Sequence, residues 1–269
     1  MGSTAARPVR VKDVTIGDGR PVVIVPVLGA TPAELRAQVV GLSGRRVDVV
    51  EWRVDHFAAL TDIPAVLDAA RALVRLLGPV PLLVTCRTRT EGGVADLDPQ
   101  SYGELLSALA SSGAADLLDV EHRRPGDVVA GIVTAARRHG VKVVASEHDF
   151  TTTPPAEEIV RRLREMQELG VDLAKIAVMP RSRADVLALL DATRQVSEEH
   201  PEVPVITMSM GPLGVVSRLA GHLFGSAATF ASAGTASAPG QVDVEGVRTV
   251  LDVLDRAQGA GAAREPGPA

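Results

Sequence analysis

The chain has 269 residues, 46% hydrophobic and 23% charged, which is ample for one large core in an ordinary globular protein. A net charge of -5 with one Tyr and one Trp argues against a nucleic-acid groove, which wants a basic stripe and stacking aromatics, and favours a small metabolite as partner. The lone cysteine, Cys86, excludes an intrachain disulfide and a thiolate metal cluster; His, Asp and Glu at zinc-like spacing are missing, and no apolar run reaches membrane-spanning length.

In chain order, residues 1–20 ("MGSTAARPVRVKDVTIGDGR") lack the apolar stretch of a secretory signal, so a cytoplasmic location is expected. They read as a small β-hairpin turning at "GDG" and capping the floor of the larger domain. From residue 21 to residue 257 one unit repeats. Strand-length runs rich in Val, Ile and Leu recur at "VVIVPVLG", "VDVVEWRV", "PLLVTCR", "ADLLDVE", "VKVVASEHDF", "DLAKIAVM", "VPVITMSM" and "SAATFAS". Between them lie segments of helical period such as "IPAVLDAARALVRLLG", "PPAEEIVRRLREMQELG" and "RADVLALLDATRQVSEEH", which Asp or Pro tends to open and Gly to close. Eightfold alternation over this length predicts an α/β fold of the (β/α)8 TIM-barrel type, with a parallel sheet wrapped by helices. An open doubly wound sheet is the alternative, weakened because "PVLGAT" after the first strand is no Gly-rich phosphate fingerprint. The tail 258–269, "QGAGAAREPGPA", has nothing to bury and is expected to be disordered.

In a barrel, chemistry gathers at the C-terminal ends of the strands. Polar residues crowd there in pairs spaced i, i+2: Glu51 and Arg53, Thr85 and Arg87, Asp119 and Glu121, Ser146 and His148, with Lys175 on the sixth strand. Period-two geometry puts both members of a pair on one face. Each alone has a plain structural reading: an ion pair for Glu51 and Arg53, a satisfied core histidine, a lysine snorkelling to water. Their coincidence across consecutive strands favours a site. Cys86 remains a core filler.

The motifs "EWRVDHF", "TCRTRTEGG", "DVEH", "SEHDFTTTP", "KIAVMP", "ITMSMGPLGVVSRLAG", "FGSAATF" and "SAPGQ" resemble, in order and spacing, type I 3-dehydroquinate dehydratase. The resemblance spans about Val22 to Gln241. It implies a (β/α)8 barrel, usually a homodimer, that removes water from 3-dehydroquinate through a lysine imine and needs no cofactor or metal. Taking a proton beside a ketone requires an electron sink, and an iminium is a better one. By the resemblance, Lys175 forms the imine, and burial with the nearby cations Arg53, Arg87 and Arg218 favours the neutral amine that attacks. His148 matches the acid/base histidine, whose ordinary titration near neutral pH suits transfer in both directions. Glu91 matches the glutamate that orients it. Arg218 matches the carboxylate clamp, for which a guanidinium fork is suited. Glu51, Arg53 and Arg87 hold ring hydroxyls, Met208 and Met210 supply an apolar wall, and Ser237 and Gln241 close a lid in "ASAGTASAPGQ".

Two positions depart from the family pattern. Glu147 precedes the histidine where Asn or similar is usual; as a strand neighbour it should face the helix layer and needs a partner there. Pro26 stands where a serine often contributes a hydroxyl. Two rivals are a class I aldolase, for which no phosphate-binding Gly-rich loop is evident near "GPLG", and a catalytically dead barrel, which predicts loss of Lys175 or His148.

Overall fold

A computed structural model describes residues 6–234 and 238–262. Two short strands come first, β1 (Val9–Val11) and β2 (Val14–Ile16), paired antiparallel. The expected turn at "GDG" is corrected: the hairpin turns at Lys12 and Asp13, while Gly17 and Gly19, both at positive φ, lead the chain out of β2. Lys12 explains the difference. Its Nζ donates to the carbonyls of Gly78 and Val80 and pairs with Asp116 at 2.9 Å, holding a lysine at φ 50°, a conformation that non-glycine residues seldom adopt.

Eight parallel strands come next: β3 (Val22–Val27), β4 (Val49–Arg53), β5 (Leu82–Thr85), β6 (Leu117–Glu121), β7 (Lys142–Asp149), β8 (Leu173–Val178), β9 (Val205–Ser209) and β10 (Ala228–Phe230). They run β10-β3-β4-β5-β6-β7-β8-β9, and the ends of this row meet where Ala227 N donates to Val205 O at 2.8 Å. The sheet thus closes on itself as the expected (β/α)8 barrel and is not the open alternative. Around it lie α1 (Pro32–Val40), α2 (Ile63–Leu77), α3 (Pro99–Ser111), α4 (Gly126–His139), α5 (Ala156–Glu168), α6 (Arg183–Glu199), α7 (Val215–Ala220) and α8 (Val244–Ala262). Asp62, Asp98 and Ser182 start α2, α3 and α6 by accepting from the backbone N–H of Ala65, Ser101 and Asp185. Helix α8 runs past the boundary expected at residue 257, and the rest of the expected disordered tail, 263–269, lies outside the described residues.

Alternation along each strand builds two apolar layers. Trp52, Leu82, Leu118 and Ile176 face the helices, where Cys86 is also buried as a core residue. Val49, Leu83, Leu117, Val144 and Leu173 face the barrel interior and meet Val9, Val11 and Ile16, so the hairpin closes the floor.

Three aspartates pin the strand register at this end. Asp48, Asp116 and Asp172 precede β4, β6 and β8 and accept from the backbone N–H of Val23, Leu82 and Val143 at 2.8, 2.8 and 2.9 Å. Each aspartate ties its strand to the preceding one, and the residue three further on is Glu51, Asp119 or Lys175. The latches therefore help decide which side chains enter the barrel mouth.

Candidate active site

Toward the C-terminal ends the interior face turns from apolar to polar, as in the series Leu117, Asp119, Glu121 on β6 and Val144, Ser146, His148 on β7. A cavity opens there. Glu51, Arg53, Arg87, Glu91, His148, Lys175, Met208, Met210, Arg218 and Gln241 all line it. Ser237, the remaining expected site residue, lies outside the described residues.

Lys175 is 3% exposed, so its ammonium needs a partner. Beside the expected cations the structure places a carboxylate partner, Asp119, whose Oδ2 accepts from Nζ at 3.1 Å, while the Phe230 ring lies 4.4 Å from Nζ. Arg87 forms the centre of a buried network. Its Nη2 donates to Asp119 Oδ1 at 2.6 Å, and its Nη1 donates to Glu91 Oε2 at 3.1 Å and Ser146 Oγ at 3.0 Å. Glu121 secures the next loop by accepting from Thr88 N at 2.8 Å, Thr88 Oγ1 at 2.7 Å and Arg124 Nε at 3.1 Å.

Glu91 sits in the short helical turn Arg89–Glu91, with Gly92 behind it at φ 79°. A Cβ on Gly92 would lie 2.2 Å from the Phe150 ring, so only glycine lets that ring close over the turn. His148 Nδ1 lies 3.0 Å from Glu91 Oε2. Burial pushes the Glu91 carboxyl up to about 8, opposed by Arg87 and aided by Glu121, Asp119 and Glu147. Burial, with Arg87, Lys175 and Arg53 nearby, draws His148 well below the ordinary imidazole range. The imidazole is therefore neutral at neutral pH.

Arg53 donates two bonds to Asp55, at 2.8 and 2.7 Å, and Glu51 accepts from Thr85 Oγ1 at 2.8 Å. Arg218 differs from the other arginines. It is 2% exposed and has no carboxylate partner among the described residues; Nη2 donates to Pro239 O at 3.0 Å, and Nε is buried without a partner. Burial draws its guanidinium down to about 10, still protonated at neutral pH. A cation so placed is a receptor for an anion.

Glu147 points into the helix layer as its strand parity requires and finds partners there. Its carboxylate meets His122 Nε2 and Arg162 Nη1, both at 2.6 Å, and Arg123 Nε at 3.0 Å. Pro26 lies beyond the β10 register, which ends at Ile24 opposite Phe230, so its missing N–H costs no ladder bond on that side. Several lining residues escaped the sequence reading: Phe150, Ala177, Phe230 and Ala238. Asp55 escaped as well, although it stands i+2 from Arg53 and so carried the same signal as the other pairs.

A closed barrel with a buried lysine, an imidazole–carboxyl pair and an anion receptor at its mouth defines a (β/α)8 enzyme acting on a small polar metabolite. The chain belongs to the type I 3-dehydroquinase family, whose model matches residues 23–258. It is 47% identical to the 3-dehydroquinate dehydratase of Salmonella agona over 251 residues, covering 93% of this chain and 100% of that protein. Among solved structures it is similar to the type I 3-dehydroquinate dehydratase from Clostridium difficile with covalently modified comenic acid, at TM-score 0.91, 42% identity and coverage of 94% and 99% of the two chains. The 3-dehydroquinate dehydratase from Geobacillus kaustophilus gives TM-score 0.90, 38% identity and coverage of 94% and 98%. Dehydration of 3-dehydroquinate in the shikimate pathway is the function of this family, which makes the chain a lyase. No described helix is long and apolar enough to cross a membrane.

Proposed function

We propose that this chain performs its family's dehydration to 3-dehydroshikimate through an imine on Lys175. The carrying observation is that Lys175 and the His148–Glu91 pair line one cavity, with Arg218 on its wall. The substrate carboxylate binds Arg218, which places the ring ketone toward Lys175 Nζ. Lys175 condenses with the ketone. His148 then takes the proton from the carbon beside the imine and returns it to the departing hydroxyl, releasing water. Glu91 orients the imidazole through Nδ1.

Glu51 and Arg53 hold ring hydroxyls, and Arg87 lies at the same face while bracing Glu91 and Asp119. Met208 and Met210 form the apolar wall. Gln241 covers the substrate at the cavity wall and helps exclude water. The Clostridium difficile relative with covalently modified comenic acid is in keeping with covalent chemistry of the kind proposed here. By the same resemblance the chain acts as a homodimer in the cytoplasm, which light scattering and cell fractionation test. Ultraviolet absorbance tests the reaction: the conjugated enone of 3-dehydroshikimate should appear on mixing with 3-dehydroquinate, and its failure to appear would refute the assignment.

A further inference from the structure

Asp119 reaches Lys175 from two strands away, past Ser146 of the intervening β7. Its Oδ1 accepts from Ser146 Oγ at 2.5 Å and from Arg87 Nη2 at 2.6 Å, and its Oδ2 accepts from Lys175 Nζ at 3.1 Å. The carboxylate is therefore clamped by one oxygen and aimed by the other at the reacting nitrogen. From sequence it was only one of several polar strand-end residues.

We infer that Asp119 is the counter-ion of the imine on Lys175, its Oδ2 accepting the imine N–H and keeping that nitrogen protonated while carbon chemistry proceeds. The inference rests on the imine reading above. The Lys175 ammonium gives one proton to His148, the freed amine adds to the ketone, and that proton leaves with the carbinolamine oxygen as water, giving C=NH⁺ bonded to Lys175. When His148 removes the adjacent proton, the C–H pair becomes a C=C bond and the imine π pair moves to nitrogen, giving a neutral enamine. The pair returns as the β-hydroxyl leaves with a proton from His148, restoring C=NH⁺, now conjugated. Water then hydrolyses it to the product ketone and free Lys175. At each cationic stage the N–H needs an acceptor, and Oδ2 already stands 3.1 Å from Nζ.

The surroundings make this acceptor necessary. Arg53, Arg87 and Arg218 line the same cavity; Asp55 offsets Arg53, and Asp119 with Glu91 offsets Arg87, but Arg218 has no carboxylate partner among the described residues and pushes an unpaired iminium toward its neutral form. The other carboxylates have different partners: Glu51 accepts from Thr85, and Glu91 meets His148 and Arg87. His148, next to Glu91, is drawn toward its neutral state and offers no negative charge. Burial opposes charge on Asp119, but the Arg87 guanidinium and the Lys175 ammonium hold its carboxyl down to about 2. So weak a base does not carry protons away, which leaves transfer to His148.

The test compares the unsubstituted chain with Asp119→Asn. Each is mixed with 3-dehydroquinate and cyanoborohydride, which reduces protonated imines far faster than neutral ones, and the adduct is followed by intact mass across a pH series. Losing a carboxylate at this distance should lower the pH at which trapping fails by roughly 1–3 units. An unshifted midpoint overturns the counter-ion role alone, whereas no adduct in the unsubstituted chain overturns the imine and the counter-ion together. A second measurement needs no variant: the Raman C=N stretch of the product complex in mildly alkaline buffer should move down in D₂O, as a protonated imine requires. An unmoved stretch overturns the inference even where Asp119→Asn fails to fold.

Discussion

His148 Nδ1 and Glu91 Oε2 stand 3.0 Å apart, and burial pushes the two groups in opposite directions, Glu91 up to about 8 and His148 well down. Below that value the carboxyl donates to Nδ1, and the ring hydrogen sits on Nε2, where it blocks proton uptake. Above it, Nδ1–H donates to the carboxylate and the Nε2 lone pair is free. The sign is therefore positive: kcat/KM should rise with pH through about 8 in the free enzyme. Glu91→Gln should abolish that limb and lower the plateau. A profile identical in the variant would remove Glu91 from the titration.

The acid/base role itself is tested by His148→Ala. Turnover should fall by a factor on the order of 10² or more, the usual worth of a positioned acid/base. Slow imine adducts should still form, because the nucleophile is Lys175. Near-normal turnover, measured by enone absorbance, would take His148 out of the mechanism.

Arg218 stands buried with Nε unpartnered, Nη2 on Pro239 O and Nη1 against Met208 Sδ at 3.7 Å, so its charge meets no carboxylate among the described residues and suits an anion. Arg218→Ala should weaken substrate binding by about 2–5 kcal/mol. Arg218→Lys should recover little, since a point charge does not replace two parallel donors. Calorimetric titration of both variants with a substrate analogue checks this; unchanged affinity in both would assign the carboxylate elsewhere.

The floor latches predict a stability effect far from the chemistry. Asp116 joins Leu82 N and Lys12 Nζ, at 2.8 and 2.9 Å. Asp116→Ala should cost about 1.5–3 kcal/mol, the range for a hydrogen bond to a charged group, and lower Tm by a few degrees. Thermal unfolding followed by circular dichroism reads it; an unchanged Tm would mean the latch contributes nothing.

Much of the barrel and its mouth was legible in the sequence. Period-two spacing put Glu51 with Arg53, Asp119 with Glu121 and Ser146 with His148 on common strand faces, strand-end position singled out Lys175, and eightfold alternation announced the barrel, because all of these arise from local geometry. Parity also sent Glu147 outward, although Arg162 and His122 as its partners depend on how α5 and the loop after β6 pack. The hairpin turn was misplaced because "GDG" is the stronger local signal, and long-range bonds of Lys12 override it. The Asp119–Lys175 pair was illegible for a related reason: the residues lie on non-adjacent strands, and only barrel curvature brings them to 3.1 Å. Glu91, on a short turn outside any strand, was found through family resemblance alone.

The central claim is that Lys175 is the nucleophile, and reductive trapping reads it most directly. Borohydride added to the chain with 3-dehydroquinate should leave one ligand mass per chain and abolish activity, and peptide mapping should put the label on Lys175. The other lysines lie elsewhere: Lys12 in the hairpin turn, and Lys142 at the opposite end of the barrel, paired with Asp172. Lys175→Ala should take up no label and lose nearly all turnover. Label on another lysine, or full activity without Lys175, would contradict the account.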